Sequence, residues 1–207
     1  MPQATILGKL FESEAKVRLM RLFLMNPGEI FDARIIAKRA QMQPRAFAHD
    51  LKKLLNVGYI KRGTRVVTLA EVRSGKLKRR RVVGFGLARD FMYLNEIAQL
   101  LASDAPRARE KLVSSMKGAG KINLVVIAGR LMNEETRTVD VFIVGDSLKK
   151  AKIERALKTM ESATGKELVY AFMATKEFQY RYGLYDRFLK ELFDNPHEII
   201  LNKLGIG

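Results

Sequence analysis

With 207 residues, no cysteine and a net charge of +16, the chain excludes a disulfide framework or thiolate metal site and has room for one large domain or two of about 100 residues. No apolar run approaches the ~18–20 residues that span a bilayer, and the opening MPQATILGKLFESEAKVR lacks a signal-peptide pattern, so a cytoplasmic protein without a membrane partner is expected. Cutting after Ser103 leaves 20 Lys and Arg against 8 Asp and Glu in the first half and 18 against 14 in the second; so large a one-signed excess exceeds what solubility needs and points to a polyanion such as nucleic acid.

In chain order, SEAKVRLMRLFLMNPGE predicts an amphipathic helix capped by Ser13, with Val17, Met20, Leu24, Leu19 and Phe23 on its apolar stripe and Asn26-Pro27-Gly28 as its stop. FDARIIAKRAQ predicts a second, with Asp32 as N-cap. After QMQ, PRAFAHDLKKLLNVGYI predicts a third, with Pro44 in the first turn, Phe47, Leu51, Leu54 and Leu55 inward, and Gly58 closing it. The period then changes from helical to alternating. YIKRGTRVVTLAEVR and LKRRRVVGFGLA predict a hairpin turning at Ser74–Lys76, with Arg73, Lys76, Lys78, Arg79, Arg80 and Arg81 near its tip. FMYLNEIAQLLAS predicts a further amphipathic helix with Phe91, Leu94, Ile97 and Leu101 on one side.

Helices followed by a basic hairpin make a winged helix-turn-helix arrangement. The stretch IIAKRAQMQPRAFAHDLKKLLNVGYIKR resembles prokaryotic regulators of the ArsR and MarR kind, and the resemblance covers about residues 8 to 103. It implies double-stranded DNA as partner and binding as a homodimer on half-sites about one helical turn apart. With its apolar stripe inward, the helix from Pro44 leaves Gln43, Arg45, Ala46, His49, Lys52 and Lys53 on or beside its outer face. Near a helix start, Arg45 suits a guanine edge and Gln43 an adenine edge, while Lys52 and Lys53 suit phosphates. The blander reading of His49, Lys52 and Lys53 is a solvated face. On the hairpin, Arg79 and Arg81 share one face and Arg80 takes the other, so the three are not equivalent toward the DNA backbone or minor groove.

The second half begins with SDAPRAREKLVSSMKGAGK, a helix expected over about 105–117. INLVVIAG reads as a strand buried on both faces, and RTVDVFIVGD as another, with Asp140 inside an apolar run and Asp146 after it. SLKKAKIERALKTMESATG predicts a helix with Ile153, Leu157 and Met160 inward. KELVYAFMA predicts a third strand, TKEFQYRYGLYDRFLKELFDN one or two helices, and HEIILNKL a closing segment. The fold class expected is α+β: a winged helix-turn-helix over residues 1–103 and a small α/β domain over 104–207.

The run LVVIAGRLMNEETRTVDVFIVGDSLKKAKIERALKTMESATGKELVYAFMATKEFQYR, with FLKELFDNPHEIILNKL, resembles the nucleotidyltransferase domain of the DNA-polymerase-β-like superfamily. The resemblance implies a Gly-Ser turn after the first strand, an Asp-apolar-Asp motif on the second and a third carboxylate later, which together hold two divalent ions. This chain departs at each point. The turn reads Gly129-Arg130, the motif reads Thr138-Val139-Asp140, and no acid follows Glu167 on the third strand, where Val169 stands. One carboxylate does not hold two magnesium ions against water, so no metal, cofactor or catalysis is expected. Asp140 reads as a relic paired with Arg130 or Arg137, and Asp146 as a capping or turn residue. Gly129, Arg130 and Asp140 remain a possible nucleotide pocket, with Arg130 where phosphate charge would sit. The expected function is sequence-specific transcriptional regulation, the second domain serving dimerisation or a nucleotide or protein effector. FMYLNEIAQLLAS and FQYRYGLYDRFLKELF read equally as dimer contacts or core. The rivals are an active nucleotidyltransferase acting on RNA or protein and an architectural DNA-coating protein.

Overall fold

The structure, a computed structural model, describes residues 5–70, 77–102, 111–132 and 139–206, with the side chains of 67–70, 77 and 78 outside the description. The chain is mixed α+β and divides into two units, Met1–Ala105 with Ser162–Lys166 and Pro106–Glu161 with Glu167–Gly207. The boundary expected between Ser103 and Asp104 lies outside the described residues, and the sequence reading has no counterpart to the membership of Ser162–Lys166 in the first unit.

The first unit runs α1 (Ile6–Leu10), α2 (Glu14–Leu24), α3 (Ala33–Ala40), α4 (Pro44–Asn56), β1 (Ile60–Ala70), β2 (Leu77–Leu87) and α5 (Leu94–Ala102). Ser13 caps α2: its Oγ accepts from the Lys16 amide at 3.1 Å and donates to Asp50 Oδ2 at 2.5 Å, tying the start of α2 to α4. Asp32 caps α3, its Oδ1 accepting from the amides of Arg34 and Ile35 at 2.9 and 3.0 Å. Gln41, at φ 53°, ends α3 in the left-handed region, and Pro44 opens α4 three residues later with a ring that needs no amide partner. Val17, Leu19, Met20, Phe23, Ile36, Phe47, Leu51 and Leu54 bury in one core. Buried Tyr59 joins it and donates its hydroxyl to the Met20 carbonyl at 2.9 Å; burial raises that hydroxyl's pKa well above its ordinary value. The helix expected from Phe91 starts at Leu94, and Phe91, Leu94 and Ile97 pack on the core beside buried Leu101.

β1 and β2 form an antiparallel hairpin registered from Ile60↔Leu87 to Ala70↔Leu77. Its base is anchored by a contact that no local pattern announces. Phe31 donates its amide to the Phe85 carbonyl at 2.8 Å, and Phe85 returns the bond at 2.9 Å. Gly84 allows this approach, since a Cβ there would lie 2.5 Å from the Phe31 carbonyl oxygen. From the Gly63↔Gly84 pair to the Ala70↔Leu77 pair, at about 3.3 Å per residue, the strands extend a further ~20 Å.

In the second unit, β3 (Lys121–Ile127), β4 (Val141–Asp146), β5 (Tyr170–Met173) and β6 (Glu198–Asn202) form one sheet in the order β5-β4-β3-β6. β4 is antiparallel to β3 and parallel to β5, and β6 is antiparallel to β3. Alternate residues of β3 and β4 feed two cores. Val125, Ile127 and Ile143 meet Ile153, Leu157 and Met160 of α7 (Lys150–Thr164) and Leu112 of α6 (residues 111–115). Leu124, Val126, Phe142 and Val144 meet Phe178 of α8 (Thr175–Gly183) and Leu189 and Leu192 of α9 (Arg187–Phe193). Two details correct the sequence reading. HEIILNKL, expected only as a closing segment, supplies the edge strand β6. Asp140 stands one residue before β4 and Asp146 is its last residue, where Asp140 was expected inside the strand and Asp146 beyond it.

Replacing Gly84 by alanine should lower stability by about 1–3 kcal/mol, because backbone cannot yield as a flexible side chain does; a reduced urea midpoint checks this. Asp32→Ala should cost about 1 kcal/mol at neutral pH. Burial raises the Asp32 carboxyl, but the two amides and the Arg65 charge outweigh it and hold the pKa below its ordinary value. Its contribution is therefore present above the unfolded-state value and lost as pH falls through the lower folded value. Unfolding curves of wild type and Asp32→Ala should converge in that acid range.

Candidate nucleic-acid interface

α4 owes its two faces to spacing. Phe47, Leu51 and Leu54 are buried, together with Asp50, which is 8% exposed and whose carboxylate accepts from Ser13. On the opposite side Arg45, His49 and Lys52 recur at i, i+4 and i+7 and are exposed, flanked by exposed Ala46 and Lys53. Gln43, the N-cap, is exposed and makes no side-chain capping bond, which leaves its amide facing solvent beside Arg45. The six expected α4 residues thus lie along one end and one side of a single helix backed by core. Leu55, expected inward, is only half-buried.

On the hairpin, Arg79, Arg80 and Arg81 pair across from Thr68, Val67 and Val66, and all three are exposed although they alternate in direction. Val66 and Val83, on the face of Arg81, are also exposed, at 62% and 65%, and Arg80 is exposed on the other, so both faces of this part of the ribbon meet solvent. Arg73 and Lys76 lie outside the described residues, as does the side chain of Lys78. The sequence reading passed over Arg34 and Lys38 on α3 and Arg62 on β1, which are exposed cations of the same unit. Their only signal in the sequence is charge, which does not distinguish them from other surface lysines and arginines.

The structure also brings Gly129, Arg130 and Asp140 together. Gly129, at φ 56°, turns the chain out of β3 into a single 3-10 turn over Gly129–Met132. This presents the Arg130 amide to Asp140 Oδ1 at 2.7 Å. The Arg130 guanidinium meets Oδ2 through Nη2 at 2.8 Å and Nε at 3.2 Å, and the Val169 amide donates to the same oxygen at 2.8 Å. Asp140 is 1% exposed with both oxygens occupied. Of the two arginines considered as its partner, Arg130 holds it, and Arg137 lies outside the described residues. Chemically this carboxylate acts as a staple joining the end of β3, the start of β4 and the segment leading into β5. Asp146 staples too: it accepts from the Thr175 amide at 3.2 Å, at the start of α8, and from Asn123 Nδ2 at 3.5 Å. It therefore supports a helix distant in sequence and not the one that follows it. Among the described residues no cluster of three His, Cys, Asp or Glu is placed to hold a metal ion, and no helix is long and apolar enough to cross a membrane.

No family model matches the chain, and no curated protein or solved structure matches it either.

Asp140→Ala would leave the Arg130 and Val169 amides and the guanidinium without their acceptor and should cost about 2–4 kcal/mol. Arg130→Ala should cost less, about 1–3 kcal/mol, because its side chain is 35% exposed while two amides still satisfy the carboxylate. Chemical denaturation of both variants checks the order.

Proposed function

We infer that the protein is a sequence-specific, double-stranded-DNA-binding transcriptional regulator, in which α3 and α4 form a helix-turn-helix, the β1–β2 hairpin is its wing, and α4 reads the major groove. The observation that carries this reading is the stripe of Arg45, His49 and Lys52 on the exposed side of α4, with Gln43 at its start. A helix of this kind offers its first residues to base edges: Arg45 bonds a guanine, Gln43 an adenine, and Lys52 and Lys53 contact phosphates. Arg79, Arg80 and Arg81 contribute phosphate or minor-groove contacts from the wing. The net charge of +16 draws the protein to DNA at a rate and affinity that fall with salt.

In this reading the second unit is a nucleotidyltransferase-like domain that has lost its chemistry and serves dimerisation or effector binding. Asp140, the one acid kept at the motif position, is engaged by two amides and a guanidinium, an arrangement suited to holding strands together. The protein then acts in the cytoplasm as a homodimer, with two reading helices on a two-fold site.

Selection of random genomic fragments by the purified protein at about 150 mM salt, where nonspecific affinity is typically only 10⁻⁴–10⁻⁶ M, tests this. A shared, near-palindromic site should emerge, and the Arg45→Ala/His49→Ala/Lys52→Ala variant should lose it. Recovery blind to sequence would instead favour an architectural coating protein. Transfer of labelled nucleotide with Mg²⁺ or Mn²⁺, abolished by Asp140→Ala in protein that remains folded, would establish a transferase and overturn the assignment of the second unit.

A further inference from the structure

The second unit carries a cluster of cations that the reading above leaves without a role. Two turns at one end of its sheet are locked together. The Lys149 amide donates to the Ala119 carbonyl at 2.8 Å, and a Cβ on Gly120 would lie 2.6 Å from the Ser147 carbonyl oxygen. Beside this junction stands Lys117, just before the first turn. Lys149 and Lys152 follow the second turn, and Lys152 Nζ lies 3.1 Å from where a Gly118 Cβ would sit. Arg155 is one helical turn beyond Lys152. All four are exposed.

The nearby Asp146 is committed to the Thr175 amide and Asn123. None of the four cations makes an ion pair among the described residues. The placement also runs against local helix stability: α7 has no acid in its first turn, and cations there oppose the helix dipole. A merely solubilising surface has no need to gather like charges on two locked turns at that end of a helix.

We propose that the face formed by Lys117, Lys149, Lys152 and Arg155 is a second DNA-backbone contact, through which the nucleotidyltransferase-like unit grips phosphates while α4 reads sequence. Lysines on short, fixed turns act as point charges toward phosphate oxygens and carry no base preference. The inference rests on the DNA-binding reading of the first unit, and it gives the second unit a task that requires neither metal nor nucleotide.

The test compares the full-length wild type with Lys117→Gln/Lys149→Gln/Lys152→Gln, and with the charge reversal Lys149→Glu/Lys152→Glu, on the selected site and on a random duplex from 50 to 300 mM salt. Each lost phosphate contact removes about 0.9 from the slope of log affinity against log salt. The triple variant should therefore show a slope shallower by about 2–3, with affinity falling by similar factors on both duplexes so that their ratio is kept. The charge reversal should weaken both duplexes similarly. These side chains are exposed, and an unchanged thermal midpoint would confirm that folding is unaffected. Wild-type slope and affinity in both variants, while wild type binds DNA, would overturn the second contact and leave the reading of α4 intact. If wild type binds neither duplex at any salt, the DNA reading itself fails, and this inference with it.

Discussion

Burial of Phe47, Leu51 and Leu54 in the core shared with α2 determines which side of α4 meets water, and the rest of the first unit is arranged around that choice. Three large apolar side chains at i, i+4 and i+7, each worth about 1.5–3 kcal/mol when buried, leave α4 no alternative rotation about its own axis. Arg45, His49 and Lys52 are thereby turned outward together. The bond from Ser13 to Asp50 adds a directional lock that apolar contacts do not provide. The exchange of amide bonds between Phe31 and Phe85 holds the hairpin to the same core. A face that reads DNA must be held rigidly, because hydrogen bonds to base edges tolerate little displacement.

The second unit shows how a buried carboxylate can serve structure. Asp140 accepts bonds from two backbone amides and a guanidinium that come from separate segments, so it closes a sheet corner where β3, β4 and β5 meet. A metal-binding carboxylate needs free lone pairs toward an open site; this one directs both oxygens at the protein. Charge is also sorted within the unit. The cations of the locked turns face solvent, while Asp146 is committed to internal support.

Much of the first unit was legible because its signals are local. Ser13, Asp32 and Pro44 mark helix starts within one turn of the residues they stabilise, and the apolar spacing of α2 and α4 states their buried faces directly. The contacts that escaped are those between residues distant in sequence. Phe31 bridging Phe85, Asp50 receiving Ser13, and Asp146 supporting Thr175 have no local signature, and Asp50 reads in sequence as one more polar residue on a surface helix. The strand β6 was missed as a strand because five residues next to Pro196 carry too short a pattern, and its pairing with β3 lies more than seventy residues away. For the candidate sites, residue type and helical spacing were enough to nominate the α4 face, while Gly129, Arg130 and Asp140 were nominated by the nucleotidyltransferase resemblance, with Arg130 and Arg137 both open as partner of Asp140. The clustering of Lys117, Lys149 and Lys152 depends on two turns meeting in space, which spacing along the chain does not reveal.

In the proposed reading the outer face of α4 enters a major groove, with Arg45 on a guanine. Replacing single guanines of the selected site with 7-deazaguanine removes the N7 acceptor and leaves base pairing intact. One substitution per half-site should weaken wild-type binding by about 1–3 kcal/mol, and the Arg45→Ala variant should be insensitive to the same change. Binding by wild type that is indifferent to 7-deazaguanine at every position would contradict that reading.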